Sequence, residues 1–139
     1  MTFEELDQTL PNGFHDAQIR RVAIDDRAGI VTLDMGLWVG KLGSPNQEEY
    51  QHATVTASGL AFCSIDAPDS TYPYLPDASP VSVSGDTAKL DHLPELAKLQ
   101  PTFPEGVLCY RFFVNDWNSF IHIAAKDVQI VWGESWIDS

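Results

Sequence analysis

The most regular pattern in the chain is a strict alternation of apolar and non-core positions. Val31, Leu33, Met35, Leu37 and Val39 alternate with Thr32, Asp34, Gly36 and Trp38. A period of two places the first set on one face of a strand against a core and leaves the second face at least partly solvated. The preceding stretch, Ala17 to Asp25, holds Ile19, Val22 and Ile24. Its parity slips between Ile19 and Val22, which predicts a bulge or local twist. Asp25 to Gly29 joins the two as a hairpin loop ending in glycine. Tyr50 to Ile65 forms a third, long strand region. Ala53, Val55 and Ala57 precede Gly59, and Leu60 and Phe62 follow on the opposite parity, so a bulge or sharp bend is expected at the glycine.

The last third returns to the same period. Val107 to Asn115 and Ser119 to Ala125 flank the turn Asn115-Asp116-Trp117-Asn118, and a further strand over Val128, Ile130 and Trp132 follows Lys126-Asp127. Three strands on short links predict an antiparallel meander. Residues 66–105 are irregular and proline-rich, with a short strand over Val81 to Ser84 and a short helix over His92 to Leu99 that carries Pro94 in its first turn. At the N-terminus, Thr2 and Glu5 have capping-box spacing, Phe3, Leu6 and Leu10 share a helical face, and Pro11-Asn12-Gly13 ends the helix. No repeat or linker interrupts the chain. The expected fold is α+β but mostly β, with at least six strands. It is a single domain over residues 1–139, an antiparallel sheet that is curled or barrel-like, with a short N-terminal helix.

Composition supports a packed domain and narrows the partners. At 139 residues and 44% hydrophobic content the chain can bury a core without disulfide or metal support. Asp and Glu total 20 against 8 Lys and Arg, a formal net charge of −12. Nucleic acid and anionic membrane both require phosphate neutralisation by cations, so neither is an expected partner. No Lys or Arg falls between Lys41 and Lys89, whereas Glu48, Glu49, Asp66, Asp69, Asp77 and Asp86 do. That stretch either solvates the fold or attracts a basic protein. The acidic start lacks the basic and then apolar character of a secretory signal, so a cytoplasmic location is expected. Cys63 and Cys109 both fall in strands and are expected to be buried, reduced thiols.

The chain carries no phosphate loop, dinucleotide fingerprint, nucleophile elbow, zinc-type cysteine pair or calcium loop. His15, His52, His92 and His122 have no mutual spacing that suits a metal, so no metal and no cofactor is expected, and a catalytic role is not favoured. Four groups of side chains remain as binding candidates. His15 and Asp16 join an imidazole to a carboxylate between a turn and a strand, for proton transfer or for capping the turn. Arg111 and His122 lie in otherwise apolar strands and would make a polar pair in a cleft if their faces coincide, or a half-exposed sheet face if not. Trp117 and Asn118 form a turn that either presents an aromatic anchor or folds back over the core. Tyr72 and Tyr74, set among prolines, either offer a rigid contact surface or cover an open end of the sheet.

Two stretches, Leu10-Pro-Asn-Gly-Phe-His-Asp-Ala17 and Tyr110-Arg-Phe-Phe-Val-Asn-Asp-Trp-Asn-Ser-Phe-Ile-His-Ile-Ala124, resemble small uncharacterised bacterial proteins, some of which look like immunity proteins of polymorphic toxin systems. The resemblance implies a bacterial cytoplasmic protein that binds another protein, and acidic immunity proteins often cover the active site of a basic toxin. Two functions follow as expectations. One is a protein-binding, immunity-like module with acidic and aromatic loops. The other is a small-ligand-binding or enzymatic β domain with a cleft around Arg111 and His122.

Overall fold

A computed structural model describes residues 1–41, 43–45, 47–71, 79–87 and 94–136. Six strands form the framework: β1 (Ala17–Asp25), β2 (Ile30–Trp38), β3 (Tyr50–Ile65), β4 (Val81–Thr87), β5 (Cys109–Val114) and β6 (Ser119–Ser135). They close into an antiparallel barrel in the order β1-β2-β3-β6-β5-β4, with β4 returning to β1. Closure gives each strand a neighbour on both sides, although β1 and β4 meet only over Ala17–Ile19 and Val81–Val83. It follows from the length of β3 and β6, which pair with each other along most of their extent while β6 also holds β5.

Alternation places Val31, Leu33, Met35 and Leu37 inside, each no more than 1% exposed. Val39 lies beyond the end of β2 and is half-buried; its N–H donates to the Glu49 carbonyl at 2.9 Å, which ties the β2–β3 loop together. In β1 the pairing to β2 shifts between Ile19 and Arg21, so Arg20 is the extra residue of a bulge and turns to the outer face beside Arg21.

The end of the chain departs from the expected meander. Lys126 and Asp127 are not a turn between two strands but lie within β6. They face Gly59, which sits at φ 63° with Lys126 packed so close that a Cβ there would be 2.8 Å from the Lys126 Cβ. Both strands change parity at that point, from Ala57 to Leu60 on β3 and from Ala125 to Val128 on β6, so the pairing survives the bend. A charged pair between two apolar runs reads as a turn until the glycine opposite it is known.

One helix, α1 (Phe3–Thr9), closes one end of the barrel. Its capping box is complete: Glu5 N–H donates to Thr2 Oγ1 at 3.1 Å and Thr2 N–H donates to Glu5 Oε1 at 3.0 Å. Phe3 stacks on Tyr110 at 5.1 Å between centroids, and Phe14 meets Phe112 edge-on at 5.3 Å. These aromatics join the interior cluster that runs the length of the barrel. A second, smaller cluster lies outside the wall, where α2 (Pro94–Leu99) lays Leu96 with Val107 and Phe103 over Cys109, Ala124 and Phe62. No helix among the described residues is long and apolar enough to cross a membrane.

Candidate functional site

Strand pairing decides where the polar residues of β5 and β6 meet. Arg111 and His122 are direct cross-strand partners, with Phe113 opposite Phe120 one step along the same outer face. The two polar groups nevertheless do different things. Arg111 swings toward β4, where Nε reaches Asp86 Oδ1 at 2.8 Å and Nη2 reaches Asp86 Oδ2 at 3.2 Å, while its guanidinium lies 4.7 Å from the Phe120 ring centre. Its charge is therefore committed to a two-point ion pair and an aromatic face.

His122 points instead toward β3 and α2. It is 7% exposed and lines a cleft of about 230 Å³ whose walls include Phe62, Ser64, Asp66, Leu96 and Leu99. Its Nδ1 is 3.4 Å from Ser64 Oγ, and its Nε2 is buried without a hydrogen-bond partner. Burial pushes the imidazole pKa down and Arg111 adds to that, against an upward pull from Asp66. At neutral pH the ring is neutral and keeps one buried nitrogen without a partner, in a side chain that borders the cleft.

The β5–β6 turn is tied into the fold. Asn118 adopts φ 49° and donates from Nδ2 to Asp69 Oδ2 at 3.0 Å; the Trp117 carbonyl accepts from Asp69 N–H at 2.9 Å. Trp117 is half-buried against the interior cluster, and Asp116 accepts from Ser82 N–H at 2.7 Å. Asp69 also accepts from both the N–H and the hydroxyl of Thr71, and these bonds hold its carboxyl below the usual range. His15 and Asp16 are both exposed, with Nε2 and Oδ2 3.3 Å apart. Asp16 takes a left-handed conformation at φ 51°, and its carbonyl accepts from Tyr50 Oη–H at 2.8 Å. Tyr72, Tyr74 and His92 lie outside the described residues.

A further polar group was not foreseen from the sequence. On the outer face of β1, β2 and β3, Asp34 accepts from Arg20 Nε at 2.9 Å and Arg20 Nη2 at 2.8 Å through one oxygen, while His52 Nε2 bonds the other. Trp136 covers the group: Arg20 sits 4.5 Å from its ring centre and His52 stacks on it at 5.7 Å. Trp136 is thus firmly packed, 9% exposed. Outward parity in the second strand pointed to Asp34, but only the register Asp34↔Thr54 and Gly36↔His52 brings His52 near. No group of three or more His, Cys, Asp or Glu side chains among the described residues is arranged to hold a metal ion.

The start of β3 carries two adjoining grooves. One, about 510 Å³, is lined by Glu48, Glu49, Tyr50, Glu134 and Trp136; an adjoining one of about 230 Å³ shares Glu48 and Tyr50 and adds Asp16 and Trp38. Tyr50 registers the local field: burial, then the carboxylates of Asp16 and Glu48, push its phenol pKa up. The acidic stretch between Lys41 and Lys89 is not one surface. Glu48 and Glu49 precede β3 and Asp66 follows it, so they stand at opposite ends of a 16-residue strand, and Asp86 is paired with Arg111. The chain matches no family model, no curated protein and no solved structure.

Proposed function

We propose that the protein is a cytoplasmic protein-binding module that docks a basic partner at the end of the barrel where β3 begins. The observation that carries this reading is the pair of joined grooves in which Asp16, Glu48, Glu49 and Glu134 surround Trp38, Tyr50 and Trp136. Carboxylates steer and orient Lys or Arg side chains, and the Trp38 and Tyr50 rings beside them accept the guanidinium or the alkyl stem. The net charge of −12 extends the same attraction to long range. In the immunity-like form of this reading the partner is a basic toxin whose active surface the acidic end covers. Asp69 takes no part, since its oxygens are occupied within the fold.

Cross-linking in the native cells, followed by purification of wild type and of the variant with Asp16, Glu48, Glu49 and Glu134 all changed to lysine, tests it. A stoichiometric basic protein captured by wild type and lost in the variant is the expected result. A partner retained undiminished by the variant, or no stoichiometric partner at all, overturns the reading.

A further inference from the structure

Among the described residues, four buried side-chain atoms lack a hydrogen-bond partner: Arg20 Nη1, Gln100 Oε1, Tyr110 Oη and His122 Nε2. The side chains of three of them do not line the cleft beside α2. Arg20 is enclosed by Asp34 and Trp136. Gln100 is engaged through its amide nitrogen with the Val107 carbonyl. Tyr110 borders a space of only about 30 Å³ and presses on Gly85, where a Cβ would lie 2.6 Å from its oxygen. His122 alone joins a buried, unsatisfied atom to a cleft large enough for an organic molecule. A buried imidazole nitrogen left without a partner costs the fold free energy of desolvation that a bound hydrogen-bonding group would recover.

The chemistry of the walls selects the ligand. Phe62, Leu96, Leu99 and Pro94 supply apolar surface. Asp66 and Glu95 also border the cleft and repel anions. The nearest guanidinium, Arg111, is held by Asp86 and does not line the space. The neutral imidazole supplies no positive charge either. Ser64 Oγ can donate to Nδ1 or accept from it, so Nε2 is free to act as acceptor or as donor. A hydroxyl group matches both states, since it donates and accepts.

We propose that the cleft between α2 and the outer wall of β3 and β6 binds a small uncharged molecule that carries a hydroxyl on an apolar body, held by a hydrogen bond to His122 Nε2. The site lies toward the opposite end of β3 and β6 from the acidic grooves and does not depend on a protein partner there.

The test is a titration of isotopically labelled protein, followed by NMR, with three probes of similar shape: 4-methylphenol, toluene and 4-methylbenzoate. The expected result is saturable shifts at Ser64, Leu96 and His122 with 4-methylphenol. Toluene should bind about tenfold more weakly, the value of one hydrogen bond, and 4-methylbenzoate should not bind. His122→Phe should abolish the preference of 4-methylphenol over toluene. Leu96→Trp, which fills the cleft from α2 and leaves the barrel wall intact, should abolish binding of both. Equal affinity for toluene and 4-methylphenol, tighter binding of the carboxylate, no saturable shift at these residues, or binding that survives Leu96→Trp would each overturn the proposal.

Discussion

At Asp34, burial and hydrogen bonding act on one carboxyl in opposite directions. Burial raises its pKa, but the bonds from Arg20 and His52 outweigh it and hold the group below the usual carboxylate range. A carboxyl depressed in the folded state contributes stability that is present above its unfolded value, near ~3.9, and is lost as pH falls through the folded value. Asp34→Asn should therefore cost roughly 1–3 kcal/mol at pH ~7, as expected for a charged hydrogen bond with partly buried partners. The gap from wild type should shrink at a pH below the depressed folded value, where the wild-type carboxyl is also neutral. Urea unfolding at both pH values measures it, and an equal loss at both would show that the charge is not what matters. The two thiols are governed by burial alone or nearly so. Cys109, 2% exposed, has its pKa pushed up to about 11, and that of half-buried Cys63 is also raised. Thiolate is thus scarce at neutral pH. A thiol reagent should label both far more slowly than in the unfolded chain, with Cys63 ahead of Cys109; labelling at the unfolded rate would contradict the burial.

At the scale of elements, the bulges matter more than the regular strands. The bulge at Arg20 brings its guanidinium to Asp34 and Trp136, and the bend at Gly59 and Lys126 lets β6 continue as one strand. The absence of a side chain at Gly36 seats Trp136: a Cβ there would fall 2.4 Å from the Trp136 ring. Gly36→Ala should push Trp136 off β2. The indole N–H, which donates to Gln18 Oε1 at 2.5 Å, should then shift in the NMR spectrum. Stability should fall by about 1–3 kcal/mol, the usual cost of overpacking. An unmoved indole signal with full stability would refute the contact. The α1 helix is short for independent stability, so its seven residues are held by the Phe3 and Leu6 contacts and by its capping box rather than by propensity.

For the whole molecule, the decisive property is a closed barrel carrying a strong negative charge. The charge acts beyond contact distance, but a Debye length of ~10 Å at ~0.1 M salt limits its reach. Association with a basic partner at the start of β3 should therefore slow as salt is added. The four-lysine variant should lower the on-rate more than it raises the off-rate, since rim charges steer more than they hold. Stopped-flow kinetics over a salt series read this directly, and rates indifferent to salt would remove the electrostatic basis of the docking reading.

Local order was legible in the sequence because its causes are local. Alternation marked β1, β2 and β3, the capping box marked α1, and the parity slips at Ile19–Val22 and Gly59 marked both bends. Strand order was not legible, because period-two alternation is the same whether a strand closes a barrel or lies in an open sheet. The turn expected at Lys126-Asp127 failed for the same reason, since its true character depends on a glycine 67 positions earlier in the chain. Arg111 and His122 were each visible as polar residues in apolar strands. Their opposed register, the diversion of Arg111 to Asp86 and the placement of His122 under α2 depend on contacts between distant segments. The assembly of Arg20, Asp34, His52 and Trp136 from four separate stretches is likewise a product of pairing register alone. Sequence by itself determined most of the elements, the inward face of β2 and the sign of the surface, while Phe62, expected beside Leu60, turns outward where the register shifts. Only the tertiary structure decided which side chains meet, because that is set by closure and register, whose energies belong to pairs of strands rather than to any one of them.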